Sequence, residues 1–167
     1  SNTDTFVSDE GPEKVHRRSL YTFLKRTSPP PQMSILDAPS REACTVRRER
    51  TNTPMQALML MNDPQYVEAA RAFARRVLDE GGDTVEERIA FAFEVATARL
   101  PQAAEASILT ETLNVHLAQM AADDEAARAL AQLDSTASEE GADAAELAAW
   151  TMVANLLLNL DEVVSKG

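Results

Sequence analysis

Ala144-Ala145-Glu146-Leu147-Ala148-Ala149-Trp150-Thr151-Met152-Val153-Ala154-Asn155-Leu156-Leu157-Leu158-Asn159-Leu160 is the stretch that decides the fold class. Leu147, Trp150, Thr151, Ala154, Leu157 and Leu160 recur near the helical period, and Val153 and Leu156 widen the stripe. A helix apolar over much of its circumference has to be surrounded by other elements. The pattern therefore predicts a central helix from about Ala144 to Leu160 within an all-α bundle. Asn155 and Asn159 interrupt the run, and it is shorter than the roughly 20 residues that a bilayer requires, so no membrane span is predicted.

Working outward, residues 134–143 read as a loop rich in Ser, Gly and acids. A short helix from Glu125 to Leu133 precedes it, after the Asp123-Asp124 turn. Before that, a helix from about Ala103 to Met120 carries Ile108, Leu109, Leu113, Leu117 and Met120. Thr84, with Glu87 three residues on, opens a helix lined by Val85, Ile89, Ala92, Phe93 and Ala96, which Pro101 ends. Asp63-Pro64 starts another, on which Val67, Ala70, Phe73, Ala74 and Val77 share one face until Gly81-Gly82. Thr53, Pro54 and Gln56 give the same start signal for a short helix from Pro54 to Met61. Five to six helices follow, and the abundant alanine of the second half lets them approach closely.

Ahead of Thr53 the regular pattern fades. His16 to Thr27 mixes helical and extended signals and is read as a short extended segment, while Pro29-Pro30-Pro31 predicts a polyproline-like link. From Gln32 to Asn52 the backbone is expected to be irregular, with at most one helical turn. Residues 1–13 form a loose lead-in, and Ser1-Asn2 has the look of a protease-cleavage remnant. The expected organisation is one helical domain over 14–167, a C-terminal fragment of a larger protein.

The chain has 167 residues with 44% hydrophobic and 26% charged, ordinary globular usage that excludes disordered and collagen-like classes. Its net charge of −11 is unevenly spread. Residues 14–76 hold 12 bases and 5 acids, whereas residues 79–167 hold 4 bases and 18 acids. Phosphate backbones repel such an acidic chain, so no nucleic-acid partner is expected. One cysteine, Cys44, permits no internal disulfide and, with two histidines 100 positions apart, no zinc-ligand spacing. Neither a metal nor a cofactor is expected within the fragment.

Two stretches are more specific than the helices behind them. The first is Arg17-Arg18-Ser19-Leu20-Tyr21-Thr22-Phe23-Leu24-Lys25-Arg26-Thr27 with Pro29-Pro30-Pro31. The second runs from Leu36-Asp37-Ala38-Pro39 through Cys44-Thr45-Val46-Arg47-Arg48-Glu49-Arg50-Thr51-Asn52-Thr53-Pro54 to Asn62-Asp63-Pro64. Together, and with the closing Leu147 to Glu162 segment, they resemble the C-terminal domain of unknown function of secreted planctomycete proteins that also carry planctomycete-type cytochrome c domains. The resemblance implies an exported bacterial parent, haem elsewhere in that parent, and a link to sulfated polysaccharide processing. It implies no catalytic residue. Leu24 stands where such sequences often have Trp, and Met55, Met59 and Met61 replace branched aliphatics; Met55 and Met59 share a helix face and are expected to fill core gaps.

Guanidinium forks bind sulfate or carboxylate in bidentate fashion, which makes Arg17, Arg18, Arg47, Arg48 and Arg50 the candidate anion-binding set. The competing reading is internal: a basic front is neutralised by the acidic remainder of its own chain, or by loop carbonyls. Asp37, Glu42 and Glu49 are the carboxylates that an enzyme reading would use, as part of a glycan-active hydrolase or lyase whose site is shared with upstream chain. Cys44 with His16 or His116 has no identifiable activating neighbour. The expected function is an accessory structural or interaction domain without catalysis of its own, partnered by the upstream domains and by an acidic or sulfated glycan.

Overall fold

The computed structural model describes residues 16, 19–22, 24–25, 28–40, 43–47, 51–131 and 144–165. Among them the architecture is all-α, as the periodicity predicts, and the chain divides into two compact units, residues 1–59 and 60–167. The lead-in over 1–13 and the loop over 134–143 lie outside the described residues.

In the first unit a 3-10 turn at Ser19–Tyr21 and an isolated Lys25–Ser28 bridge stand where an extended segment is expected. Leu20 and Tyr21 are exposed, and among the described residues no strand pairs with this stretch. The triple proline is also more than a linker. Pro30 keeps the polyproline geometry at φ −55° and ψ 128°, but Pro31 opens helix α1, Pro31–Ile35. A proline tolerates the first helical position because its missing N–H would be unsatisfied there in any case. Helix α2, Pro54–Asn62, begins with a reciprocal cap: Gln56 N donates to Thr53 Oγ1 at 3.3 Å, and Thr53 N donates to Gln56 Oε1 at 2.9 Å. The methionine expectation fails on this helix. Of the two expected to fill core gaps, Met55 is exposed and Met59 half-buried, and Gln56 is the buried residue of the helix.

The second unit is built around helix α7, Ala144–Leu158. Helix α3, Pro64–Glu80, lies along it, as do α5, Ala103–Ala122, and α6, Asp124–Ala131, with α4, Val85–Thr97, also in contact. A last turn not foreseen from the sequence, α8 at Asp161–Val164, packs on α4 and α7. Leu147, Trp150, Val153, Ala154 and Leu157 are buried, and Ala70, Ala74 and Val77 of α3 meet them in one core with Ile89, Phe93, Leu109 and Leu113. Ile108 departs from its expected core place and is 61% exposed, since Leu109 and Leu113 are the residues that α5 turns inward.

Local chemistry sets the helix ends. Asp63 Oδ1 accepts from Gln65 N at 3.0 Å to start α3 one residue after α2 stops. Thr84 and Glu87 form a full capping box on α4. Buried Gly81 leaves no room for a side chain, because a Cβ there would collide with the Val77 carbonyl oxygen. Helix α4 ends at Ala98 in the left-handed region, φ 62°, three residues before Pro101.

Candidate functional site

The basic motif becomes three-dimensional around Asp37. After α1 the chain turns at Leu36, Ala38 N donates back to Met33 O at 2.8 Å, and Asp37 adopts φ 58°, a left-handed position that Asp accepts more readily than most residues. Its carboxylate accepts from Thr51 N at 2.8 Å, from Thr51 Oγ1 at 2.8 Å, and from Gln56 Nε2 at 3.1 Å. Gln56 is only 2% exposed, and Nε2 also reaches Ile35 O at 2.8 Å and Thr51 Oγ1 at 2.9 Å. One buried amide thus gathers α1, Asp37, Thr51 and the start of α2. A buried side-chain amide is stable only when its donors and acceptor are taken, and here both are.

This arrangement brings together two points fourteen residues apart, Asp37 and Thr51. Between them Ala43, Cys44, Thr45, Val46 and Arg47 are exposed. Arg47 is therefore on the surface of the loop, as an anion-binding residue should be. Arg17, Arg18, Arg48 and Arg50, the other members of the candidate set, fall outside the described residues, as do Glu42 and Glu49. Asp37 is the one candidate carboxylate described, and its oxygens face Thr51 and Gln56. Cys44 is a free, exposed thiol, His16 is exposed, and His116 Nδ1 pairs with Gln119 Oε1 at 3.1 Å on its own helix. No group of three potential metal-binding side chains occurs among the described residues, and no helix among them is long and apolar enough to cross a membrane.

Several charged groups of the second unit pair with one another or close helix ends. Arg99 donates to both oxygens of Glu105, at 2.7 and 2.9 Å, and to both of Glu162, at 2.9 and 3.2 Å, with its guanidinium over the Phe93 ring. The Arg99 hydrogen bonds, with one from Gln102 N, hold the Glu105 carboxyl down at about 2. Hydrogen bonds from the Thr84 backbone and hydroxyl lower Glu87 in the same direction. Arg88 ties the Gly82 carbonyl at 3.0 Å to Glu146 at 2.9 Å. Arg71 is buried, and its Nη1 donates to the Ala131 carbonyl at 3.0 Å, closing the end of α6.

In the sequence Gln56 is legible only as a cap, and nothing marks Thr51. A glutamine three residues after Thr53, with Asp37 upstream among turn residues, was the available signal, but the 19-residue separation of Gln56 from Asp37 hides their contact.

A family match covers residues 2–113, about two thirds of the chain, and includes Asp37, Arg47, Thr51 and Gln56. The chain belongs to the PSD1 family, described as a protein of unknown function (DUF1553). The PSD1 match stops at Leu113 within α5, so the closing Leu147 to Glu162 segment lies outside it. No curated protein matches the chain, and no solved structure does.

Proposed function

We propose that this PSD1 chain is an accessory structural or interaction domain of a large exported bacterial multidomain protein, with no catalysis of its own. Its basic front, carrying Arg17, Arg18, Arg47, Arg48 and Arg50, takes an acidic or sulfated glycan, and the upstream domains are its other partner. The planctomycete origin, the secreted setting and a haem-bearing cytochrome c domain elsewhere in the parent rest on the sequence resemblance alone. One observation carries the reading: the Asp37 carboxylate accepts hydrogen bonds from Thr51 and Gln56, and the loop between Asp37 and Thr51 exposes Arg47. A general acid or nucleophile of a glycan-active hydrolase or lyase needs its carboxyl facing substrate, whereas this one is committed to backbone and side-chain donors.

The test is retention on a sulfated resin. Wild-type chain should bind with an affinity that falls steeply with salt, as binding to any polyanion by cation contacts does. The folded Arg47→Ala/Arg48→Ala/Arg50→Ala variant should elute with the void. Equal retention of the two proteins would refute the assignment.

A further inference from the structure

We infer that the outward face of α5 is a self-complementary seam on which a second copy of this chain docks, its own α5 running antiparallel. Helix α5 has two apolar faces. Leu109 and Leu113 are buried in the core, with Ala106 and Leu117 packed beside them. On the far side Ala104, Ile108, Glu111, Val115, Ala118 and Ala122 are all exposed, Ile108 by 61% and Val115 by 50%. Their spacing alternates four and three residues along the whole helix, the repeat with which one helix follows another in a coiled coil. A surface helix ordinarily turns a charged or polar face outward, whereas this seam carries a single charge, Glu111, in a chain of net charge −11. Depletion of charge marks the centre of protein interfaces. The neighbouring hydroxyls are already used: Thr110 Oγ1 donates to Ala106 O at 2.8 Å and Thr112 Oγ1 to Ile108 O at 2.7 Å, so both can be covered without stranding a donor.

The order of side chains along the seam identifies the occupant. Turned end for end about its midpoint, the seam sets Ala104 against Ala122, Ile108 against Ala118 and Glu111 against Val115, so the bulkiest residue meets a small one on both sides of the two-fold axis. A shallow depression lined by Ser107, Thr110, Glu111, Asn114, Val115 and Ala118 lies on the same face, and its Asn114, Val115 and Ala118 end is where Ile108 of the second copy would enter. A two-fold contact requires one patch to present both the projection and the recess, and this face has both. Parallel pairing would bring the two Glu111 carboxylates into one layer, whereas antiparallel pairing staggers them by about 6 Å along the axis. Two helices of 20 residues cover less than a standard interface, so the dimer is weak and its population follows concentration.

Sedimentation equilibrium of the full chain over a concentration series tests the seam. Ile108→Lys and Val115→Lys alter exposed positions, so each should keep the wild-type helical dichroism and the melting temperature measured at high dilution, while its dimer dissociation constant rises at least about tenfold. Glu111→Leu completes the apolar seam and should move the constant about tenfold the other way. Orientation is read by disulfide formation in a Cys44→Ser background: Ile108→Cys mixed with Ala118→Cys should give a mixed cross-linked dimer, and Ile108→Cys alone should give little. Wild-type chain still monomeric at about 1 mM, a dimer that Ile108→Lys leaves intact, or an Ile108→Cys chain that cross-links to itself as readily as to Ala118→Cys would each overturn the inference. So would a melting temperature that falls in Ile108→Lys at a dilution where wild type is monomeric, because the face would then be covered by contacts within one chain.

Discussion

The two units solve the same problem by different means. In residues 60–167 the chain is held by apolar burial: Leu147, Trp150 and Val153 of α7 are enclosed by α3, α4, α5 and α6. In residues 1–59 the only buried residues among those described are Pro30 and Gln56. Hydrophobic stabilisation scales with area removed from water, so the described residues of the first unit show little of it, and their long-range directional bonds converge on one amide. A core of many small contacts tolerates the loss of any one better than a cluster with a single hub does.

The sharpest way to break this contrast is to strike each centre. Trp150→Ala should destabilise the helical unit by about 3–5 kcal/mol, the usual range for emptying a large aromatic site, and urea unfolding followed by helical dichroism will show it. Gln56→Leu should cost about 1–3 kcal/mol locally, since the Ile35 carbonyl and the Thr53 amide lose a buried partner. Amide exchange at Thr51 and Thr53 should speed up while the helical transition keeps its midpoint. A midpoint that drops with Gln56→Leu would mean the two units unfold together and the contrast fails.

The smallest effect is electrostatic. Glu105 is held at about 2 by Arg99, below its ordinary range near 4.5, so its contribution is present above that range and is lost as pH falls from about 4.5 to about 2. Glu105→Gln should lower the melting temperature at neutral pH by a small amount, because the pair is at the surface. The gap to wild type should close on acidification through that window. A gap of constant size from pH 7 to pH 2 would remove Glu105 from the account.

Much of the second unit could be read in advance because its determinants are local. Asp63-Pro64, Thr84 with Glu87, and Gly81-Gly82 each fix an end through neighbours within four residues, and the structure keeps all three. The structure departs from the sequence pattern where one residue type fits two environments. Ile108 and Leu109 are adjacent and both apolar, and only the packing of α5 decides which faces inward. Met55 and Met59 look like core residues in sequence, but Met55 is exposed and Met59 only half-buried, and Gln56 is the buried residue of that helix. The Asp37–Thr51–Gln56 cluster is hidden for a different reason: its bonds that reach Asp37 and Ile35 span 14 to 21 residues, and no periodicity encodes such contacts. Of the candidate arginines, exposure is established for Arg47.

Helix α7 carries Ala148 and Ala149, and α3, which packs along it, carries Ala70 and Ala74, all four wholly enclosed. Enlarging an enclosed alanine by two carbons would overpack its surroundings at a cost of about 1–3 kcal/mol. The plainest letters in the chain are therefore the most constrained. Evolutionary drift in this body should be freer at outward residues that meet no partner than along its rows of alanine.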